Sequence, residues 1–509
     1  AYGIGVRLVG SDMCIRDRKH VSLRPYPPVL TGAVILDVQH RQDGLWLVLD
    51  PEEAIKRPVS DESVSLGLHL HLRDEWESTP ARVGDRVHIV GRLQGCGCSG
   101  RLHQACGTLS RWCGALLILR PETFVTGTQV ASACTCPRKA TLSRMRKGGM
   151  DATAQLVLGS MKHELFEHLL HQRRVSAASD SLGEAPVPTL NTVPSDALGV
   201  SPRLSGKDSM VRSVFRAHLP DLLALTHDDG AAISELRQAH DVMLSWIRDF
   251  VPGCQENIAR SATCPIGGVS SPERGCAVAL DEHGGQLRRA MAGFDGDPVT
   301  AEARGLPHEV RLRGVSRTEF NVTSFAYGLK GTIDAVVDGE LLCADGSKVS
   351  RLALPFELKT GKRTSVGLVD HQAQLLVYTL LLSEHNQAHV PVGLLFYSQF
   401  AGAERRGVSA VHADPAMLES LVMQRNVLAA GCAPHAIEDG RMPPMLGDSR
   451  MCGGCFERQH CFVTHAALES GDAQTSGKWP ALRARALQFH SSLPRSLILL
   501  LSTGLRSID

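Results

Sequence analysis

The chain has 509 residues, with 54 Lys and Arg against 53 Asp and Glu, and a net charge of +1 when histidines are neutral. That length leaves room for two or three domains and a sizeable core, while a balanced charge argues neither for nor against nucleic acid, because a local basic groove is what would matter. No run of eighteen apolar residues occurs, the nearest being Leu497 to Leu501, so no membrane contact is expected; fifteen cysteines at irregular spacing, with no recognisable secretory signal, suit a thiolate metal site better than a disulfide scaffold.

Taken in order, residues 1–24 form an unreliable N-terminus: the first eighteen, ending Gly10-Ser-Asp-Met-Cys-Ile-Arg-Asp-Arg18, have no apolar periodicity and resemble translated sequencing-adapter read-through. Residues 25–122 read as an all-β, OB-like barrel, with short strands at Ala33–Val38, Leu45–Leu49, Val64–Leu72, Arg86–Val90 and Ala115–Leu119. Gly84-Asp-Arg-Val-His-Ile-Val-Gly91 has the character of an OB-fold strand. Such barrels often track single strands, the blander alternative being a purely structural barrel.

Residues 123–470 read as an α/β domain with two insertions. Thr126 to Arg146 turns helical and carries Cys134 and Cys136; residues 152–173 form a helix containing Gly159-Ser-Met-Lys-His163. Residues 175–207, rich in Ser, Pro, Ala and Gly, are expected to be an insertion, as are 251–305, with helical periodicity between them from Ser209 to Phe250. A strand follows in which Ile333, Ala335 and Val337 alternate with Asp334, Val336 and Asp338. Leu352, Leu354, Phe356 and Leu358 alternate likewise, so Glu357 and Lys359 share one side, roughly 6–7 Å apart along the strand. On the helix Val369–Leu382, Gln374 and Tyr378 are four apart and share a face. A strand at Val392–Tyr397, a helix at Leu418–Leu428 and the spacing Cys452-x₂-Cys455-x₅-Cys461 complete the domain, and 471–509 is a tail.

These residue types carry chemistry together. Asp334 and Glu357 offer hard oxygen ligands for Mg²⁺ or Mn²⁺, a cation that keeps waters and seeks phosphate, and Lys359 beside them can orient a water or stabilise charge developing on the phosphate. An isolated Glu-x-Lys is usually a solvated charge pair and a lone histidine is more often structural; the ordered set shifts the reading to metal-dependent phosphodiester cleavage. Cys452, Cys455 and Cys461 form a strong ligand signal that calls for a fourth thiolate from the loop before the core. Four thiolates hold Zn²⁺ or a [4Fe–4S] cluster, and spacing does not separate the two.

Asp334, then Glu357-x-Lys359, then Gln374-x₃-Tyr378, preceded by Gly159-x₃-His163, resembles the RecB-like branch of the PD-(D/E)xK nucleases. The resemblance implies an α/β nuclease core, His163 as a metal ligand with Asp334 and Glu357, and catalytic roles for Lys359, Gln374 and Tyr378. A cysteine before the catalytic helix with three after the core resembles the iron–sulfur staple of cluster-bearing members, implying a [4Fe–4S] cluster on Cys136, Cys452, Cys455 and Cys461, with Cys134 as the fallback for Cys136.

With the barrel, Cys136-Pro-Arg-Lys-Ala and Gly328-Leu-Lys-Gly-Thr-Ile-Asp334 added, the chain from roughly residue 30 to 470 resembles the nuclease half of the eukaryotic DNA replication ATP-dependent helicase/nuclease family. That implies cleavage of single-stranded DNA and 5′ flaps in Okazaki-fragment processing, a part in double-strand-break end resection, replication protein A and the flap endonuclease pathway as partners, and a place in the nucleus and also the mitochondrion. No Gly-x₄-Gly-Lys-Ser/Thr loop occurs, since Ser205-Gly-Lys-Asp208 and Ser476-Gly-Lys-Trp479 lack the hydroxyl and the upstream glycine, so no ATP use is expected; the tail reads as the approach to a motor missing from an incomplete gene model. The alternatives are an exonuclease V-like or CRISPR-associated cluster exonuclease, in which this barrel need not occur, a non-catalytic single-stranded DNA-binding module, and a structural zinc protein.

Overall fold

In a computed structural model of the chain, the described residues are 28–50, 68–91, 93–95, 106–111, 113–146, 153–182, 206–225, 228–250, 277–279, 309–342, 348–399, 408–433, 436, 441–446 and 448–468. Alternating apolar side chains build two seven-stranded sheets. The first contains β1 (Pro28–Arg41), β2 (Gly44–Asp50), β3 (Leu68–Leu72), β4 (Arg86–Val90), β5 (Gln94–Gly95), β6 (Cys106–Leu109) and β7 (Leu116–Leu119), in the order β5-β6-β3-β2-β1-β4-β7. Its pairs are antiparallel except β3 with β6. Among the described residues no pairing joins β5 to β7, so the sheet is a half-barrel, its inner face filled by Ile35, Leu47, Leu49, Leu70, Val87 and Ile89. Cys106 is disulfide-bonded, the one departure among the described cysteines from the expectation of free thiols.

The chain then passes through β8 (Val125–Thr126) into α1 (Gly127–Thr135), whose start is fixed by a capping box in which Thr126 and Gln129 bond each other's backbone N–H. Next come α2 (Pro137–Met145), α3 (Ala154–Leu182), α4 (Gly206–Ala217), α5 (Leu219–Ala224) and α6 (Asp229–Phe250). The second sheet adds β9 (Ala277–Ala279), β10 (Glu309–Ser324), β11 (Leu329–Leu342) and β12 (Lys348–Lys359), crosses through α7 (Ser365–His385) to β13 (Val392–Tyr397), and ends at β14 (Val408–His412). β12 and β13 are parallel, as a helical crossover allows, and β8 lies parallel to β11 at Leu329 and Lys330. Last are α8 (Pro415–Gly431), α9 (Ser449–Gly453) and α10 (Arg458–Leu468).

The fold is therefore mixed α/β. Helix α3 runs to Leu182, beyond the expected start of the first insertion, α4 begins at Gly206 within its end, and β9 pairs with β10 from within the second; the rest of both insertions, residues 1–24 and the tail 471–509 lie outside the described residues. Among the described residues no helix is long and apolar enough to cross a membrane.

Two packing features position the site. Phe166 of α3 and Trp246 of α6 pack on Phe356 of β12 and Phe396 of β13, with ring centroids 4.7 to 6.2 Å apart, which presses α3 onto the second sheet. Phe166 is three residues past His163, nearly one helical turn, so the same packing brings His163 over the sheet. At the other side, fully buried Arg425 of α8 donates to the carbonyls of Leu119, Arg120 (2.8 Å), Thr123 (2.8 Å) and Gly328 (3.3 Å), while the Asn426 amide bonds Leu117 O (2.6 Å) and Leu119 N (2.9 Å). These bonds join the end of the half-barrel to the β10–β11 turn.

Candidate metal centre and active site

The alternation that buries Ile333, Ala335 and Val337 turns Asp334 out of the core, toward α3. Its Oδ2 accepts from the Leu358 N–H (2.6 Å) and its Oδ1 lies 3.3 Å from Nδ1 of His163. Glu357, on β12, is only 2% exposed. Its Oε1 accepts from Lys359 Nζ (2.7 Å) and from Gln374 Nε2 (2.7 Å), whereas its Oε2 is buried without any partner. Gln374 closes the ring by accepting from Lys359 Nζ (2.8 Å), and its Nε2 also donates to Tyr378 Oη (3.0 Å). All six residues singled out for catalysis in the sequence thus meet at one place.

Glycines make room for this ring. A Cβ at Gly331 would stand 2.6 Å from Cε1 of Tyr378, and one at Gly127 2.9 Å from it, so the tyrosine lies flat against two bare backbones. Gly328 holds φ +57 where a side chain would collide with the Arg425 guanidinium.

Electrostatically the centre is short of positive charge. Burial, then the nearby Asp334 charge, pushes the Glu357 carboxyl up to about 8, against the pull of Lys359 and His163. Burial alone would lower His163, but its hydrogen bond to Asp334 and the Asp334 and Glu357 charges prevail and raise it. Burial also lifts the Tyr378 phenol above its ordinary range, keeping it a neutral hydrogen-bonding partner.

A further carboxylate, absent from the sequence reading, belongs to the same centre. Glu319 of β10 offers an oxygen that lies within 4.8 Å of a donor atom from each of His163 and Asp334, the one such set of three metal-capable groups among the described residues. Burial and the Asp334 and Glu167 charges push its carboxyl up to about 7. A divalent cation fits what is here: a buried carboxylate oxygen without a partner, several hard oxygen donors and an imidazole, with one lysine to offset them.

Three of the predicted cluster cysteines, Cys136, Cys452 and Cys461, come near one another around α2 and α10. Cys136 caps α2, its sulfur accepting from Lys139 N (3.5 Å), with Pro137 in the first helical position. Cys461 of α10 accepts from Nε of Arg138 (3.2 Å), a buried arginine that also donates to Pro443 O (2.9 Å). Burial pushes the Cys461 thiol up to about 11, opposed by Arg138 and reinforced by Cys136 and Cys452, so those three thiols sense one another. Cys455 is one turn from Cys452, joined by a backbone bond of 3.3 Å. Cys134 behaves differently: its thiol donates to Val130 O within α1 (3.4 Å), and burial raises it to about 12.

Fold and site together define a mixed α/β protein with an acid–lysine–histidine centre suited to a cation. A family model described as DNA replication factor Dna2 matches residues 67–265. The DNA replication ATP-dependent helicase/nuclease JHS1 of Arabidopsis thaliana is 26% identical over 418 residues, which is 82% of this chain and 25% of that protein. The helicase/nuclease DNA2 of Mus musculus is 26% identical over 415 residues (79% of this chain, 31% of that protein), and that of Homo sapiens 23% over 407 residues (78% and 31%). Over about four fifths of its length the chain is similar to these DNA replication helicase/nucleases, and the similarity supports a likeness to their nuclease region. It spans about a quarter to a third of the length of these relatives.

Proposed function

We propose that the chain is a metal-dependent DNA nuclease of the PD-(D/E)xK, RecB-like type, which hydrolyses single-stranded DNA and 5′ flaps during Okazaki-fragment processing and double-strand-break end resection. The observation that carries this reading is the unpartnered, buried Oε2 of Glu357 beside Asp334, His163 and Lys359. A fold leaves a carboxylate oxygen in that state at a cost, and a cation removes the cost.

Mg²⁺ or Mn²⁺ held by Asp334, Glu357 and His163 would supply positive charge against the phosphate and acidity for the attacking water. The chain's own groups do the positioning. Leu358 N–H fixes one oxygen of Asp334 and so turns the other toward His163. Gln374 and Glu357 hold the Lys359 ammonium by two bonds, leaving an Nζ proton to direct at the phosphate or at the incoming water. Tyr378 holds Gln374, so the helix α7 residues act on Lys359 through one another.

The half-barrel, joined to the core by Arg425 and Asn426, would guide a single strand in the manner of an OB-fold. A [4Fe–4S] cluster on Cys136, Cys452, Cys455 and Cys461 would tie the start of the domain to its end. The mutual influence of the Cys461, Cys136 and Cys452 thiols supports a shared thiolate site. The proposal includes replication protein A and the flap endonuclease pathway as partners and a nuclear and mitochondrial setting; the relatives named above are helicase/nucleases, and no phosphate-binding loop occurs in this sequence.

The experiment is cleavage of a 5′-flap and of plain single-stranded DNA by anaerobically purified protein, with and without Mg²⁺. Wild type should cut both and Asp334→Ala neither, with iron retained by each. A folded, iron-loaded wild type that binds single strands but cuts neither substrate would leave a binding module and sink the nuclease.

A further inference from the structure

The far end of the β10–β11 hairpin carries a feature that the reaction above does not use. Along β11, Leu329 and Ile333 are buried, while Lys330 and Thr332 are exposed and alternate in step with Asp334. Across from them on β10, Thr323 pairs with Lys330 and Asn321 with Thr332, and both are exposed. One face of the hairpin is therefore a polar strip running from Asp334 to the turn. Thr332 donates to Asn321 within it (2.7 Å), Lys330 forms no ion pair among the described residues, and none of the four is an acid.

At the end of the strip is Phe325, 74% exposed, the most exposed large apolar side chain among the described residues. A single exposed phenylalanine is ordinary on a protein surface, but this one is held in place. Its ring meets that of half-buried Phe124 edge to face, with centroids 5.3 Å apart. The turn beneath it is pinned from several sides: Ser324 Oγ accepts from Tyr327 N (3.0 Å), Gly328 O accepts from Val125 N (3.0 Å) and from Arg425, and Nδ1 of His88 in the half-barrel bonds Ala326 O (3.2 Å). A ring so fixed loses little freedom when something stacks on it, and the His88 bond sets it at the seam between half-barrel and core.

We propose that Phe325, braced by Phe124, is a base-stacking platform, and that the strip beside it is the track by which single-stranded DNA reaches Asp334. This rests on the reading of the chain as a DNA nuclease and adds to it what sets the register of the strand. An aromatic face takes any base, Lys330 supplies a phosphate contact, and Thr323, Thr332 and Asn321 supply hydrogen bonds to the sugar–phosphate backbone, so the track is indifferent to sequence. From Glu319, opposite Asp334, to Phe325 is six residues, at most about 20 Å of strand, or up to about six nucleotides at 3.4 Å each. The stacked base thus stands a fixed number of nucleotides from the cut.

Fluorescence anisotropy of a labelled oligothymidylate titrated with the full chain in EDTA, where nothing is cut, tests it. Phe325→Ala should weaken binding about 10-fold and Phe325→Tyr should bind like wild type, while Phe325→Leu, apolar but without a π face, should fall with alanine. Because the side chain is exposed, thermal midpoints of all three should match wild type. Lys330→Gln should weaken binding and lower the slope of log affinity against log salt by about 0.7. With Mg²⁺ present, a single abasic site moved along the oligonucleotide should depress cleavage at one offset from the cut in wild type and at none in Phe325→Ala. Wild-type affinity in Phe325→Ala, or affinity restored by leucine, overturns the platform and leaves the nuclease standing. Binding that depends on Phe325 in a wild type that cuts nothing sinks the nuclease reading and leaves the platform.

Discussion

Two buried charged clusters in this molecule are built on opposite rules. At the junction of half-barrel and core, the Arg425 guanidinium is sealed from solvent, yet each of its three nitrogens reaches a carbonyl, and Nη1 also reaches Oδ1 of Asn426 at 3.2 Å. Burial draws its pKa down to about 9, which still leaves it charged at neutral pH. In the acidic centre the balance is reversed: Glu357 Oε2 has no partner, Glu319 has none among the described residues, and burial with the Asp334 charge raises both glutamates. A polar group that is fully satisfied fixes geometry, and one that is left unsatisfied holds binding capacity in reserve. Substitutions in the two places should therefore part company.

Arg425→Ala strands several buried carbonyls and opens a cavity at the joint, so it should lower unfolding free energy by roughly 3–5 kcal/mol, read by denaturant titration. Asp334→Ala should do the opposite at comparable size: cleavage falls about 10³-fold, while the metal-free protein is no less stable than wild type, because a repelling charge has gone. Equal destabilisation by the two would erase the distinction.

A smaller effect sharpens it through pH. The Glu357 carboxyl titrates at about 8 in the fold against 4.5 when exposed, so between those values the folded state holds a proton that the unfolded state has released. The unfolded state then binds fewer protons, and metal-free stability must fall as pH rises from 4.5 toward 8, by up to about 1.4 kcal/mol per pH unit for one such group. Mg²⁺ should flatten that slope, and so should Glu357→Gln. Thermal midpoints across this range, with and without the cation, give the answer; a slope unaffected by either would place the titration elsewhere.

Much of the centre was legible because its signals are side-chain signals. Period two put Asp334 outside the apolar set and placed Glu357 with Lys359, and the four-residue step put Gln374 under Tyr378. The glycines of Gly328-Leu-Lys-Gly331 read only as a signature; their reasons, a left-handed φ and a tyrosine ring against bare backbone, exist in three dimensions alone. Strand β10 escaped because register shifts at Leu312/Gly314 and Val315/Arg317 break its alternation, and with it went Glu319. Arg425 gave no warning either. Its acceptors are backbone carbonyls, which every residue has, so Gln424-Arg-Asn426 looks like any solvated helix face.

The contrast recurs at its smallest scale two residues apart. Cys134 and Cys136 flank one threonine, but the first turns its thiol back to Val130 O in its own helix, packed against the core, and the second leaves its sulfur at the mouth of α2 facing Cys461. Satisfied and inward, Cys134 should act as a small apolar residue: Cys134→Ala should keep the iron content of anaerobically purified protein and change stability by about 1 kcal/mol. Cys136→Ser should lose the iron, and Arg138, left buried against Cys461 without the charge of a bound cluster, should then make the α2–α10 contact the first to open in hydrogen exchange. Iron lost from Cys134→Ala and kept in Cys136→Ser would exchange the two assignments, and would mean that a thiol bonded to its own helix can still turn outward to serve as a ligand.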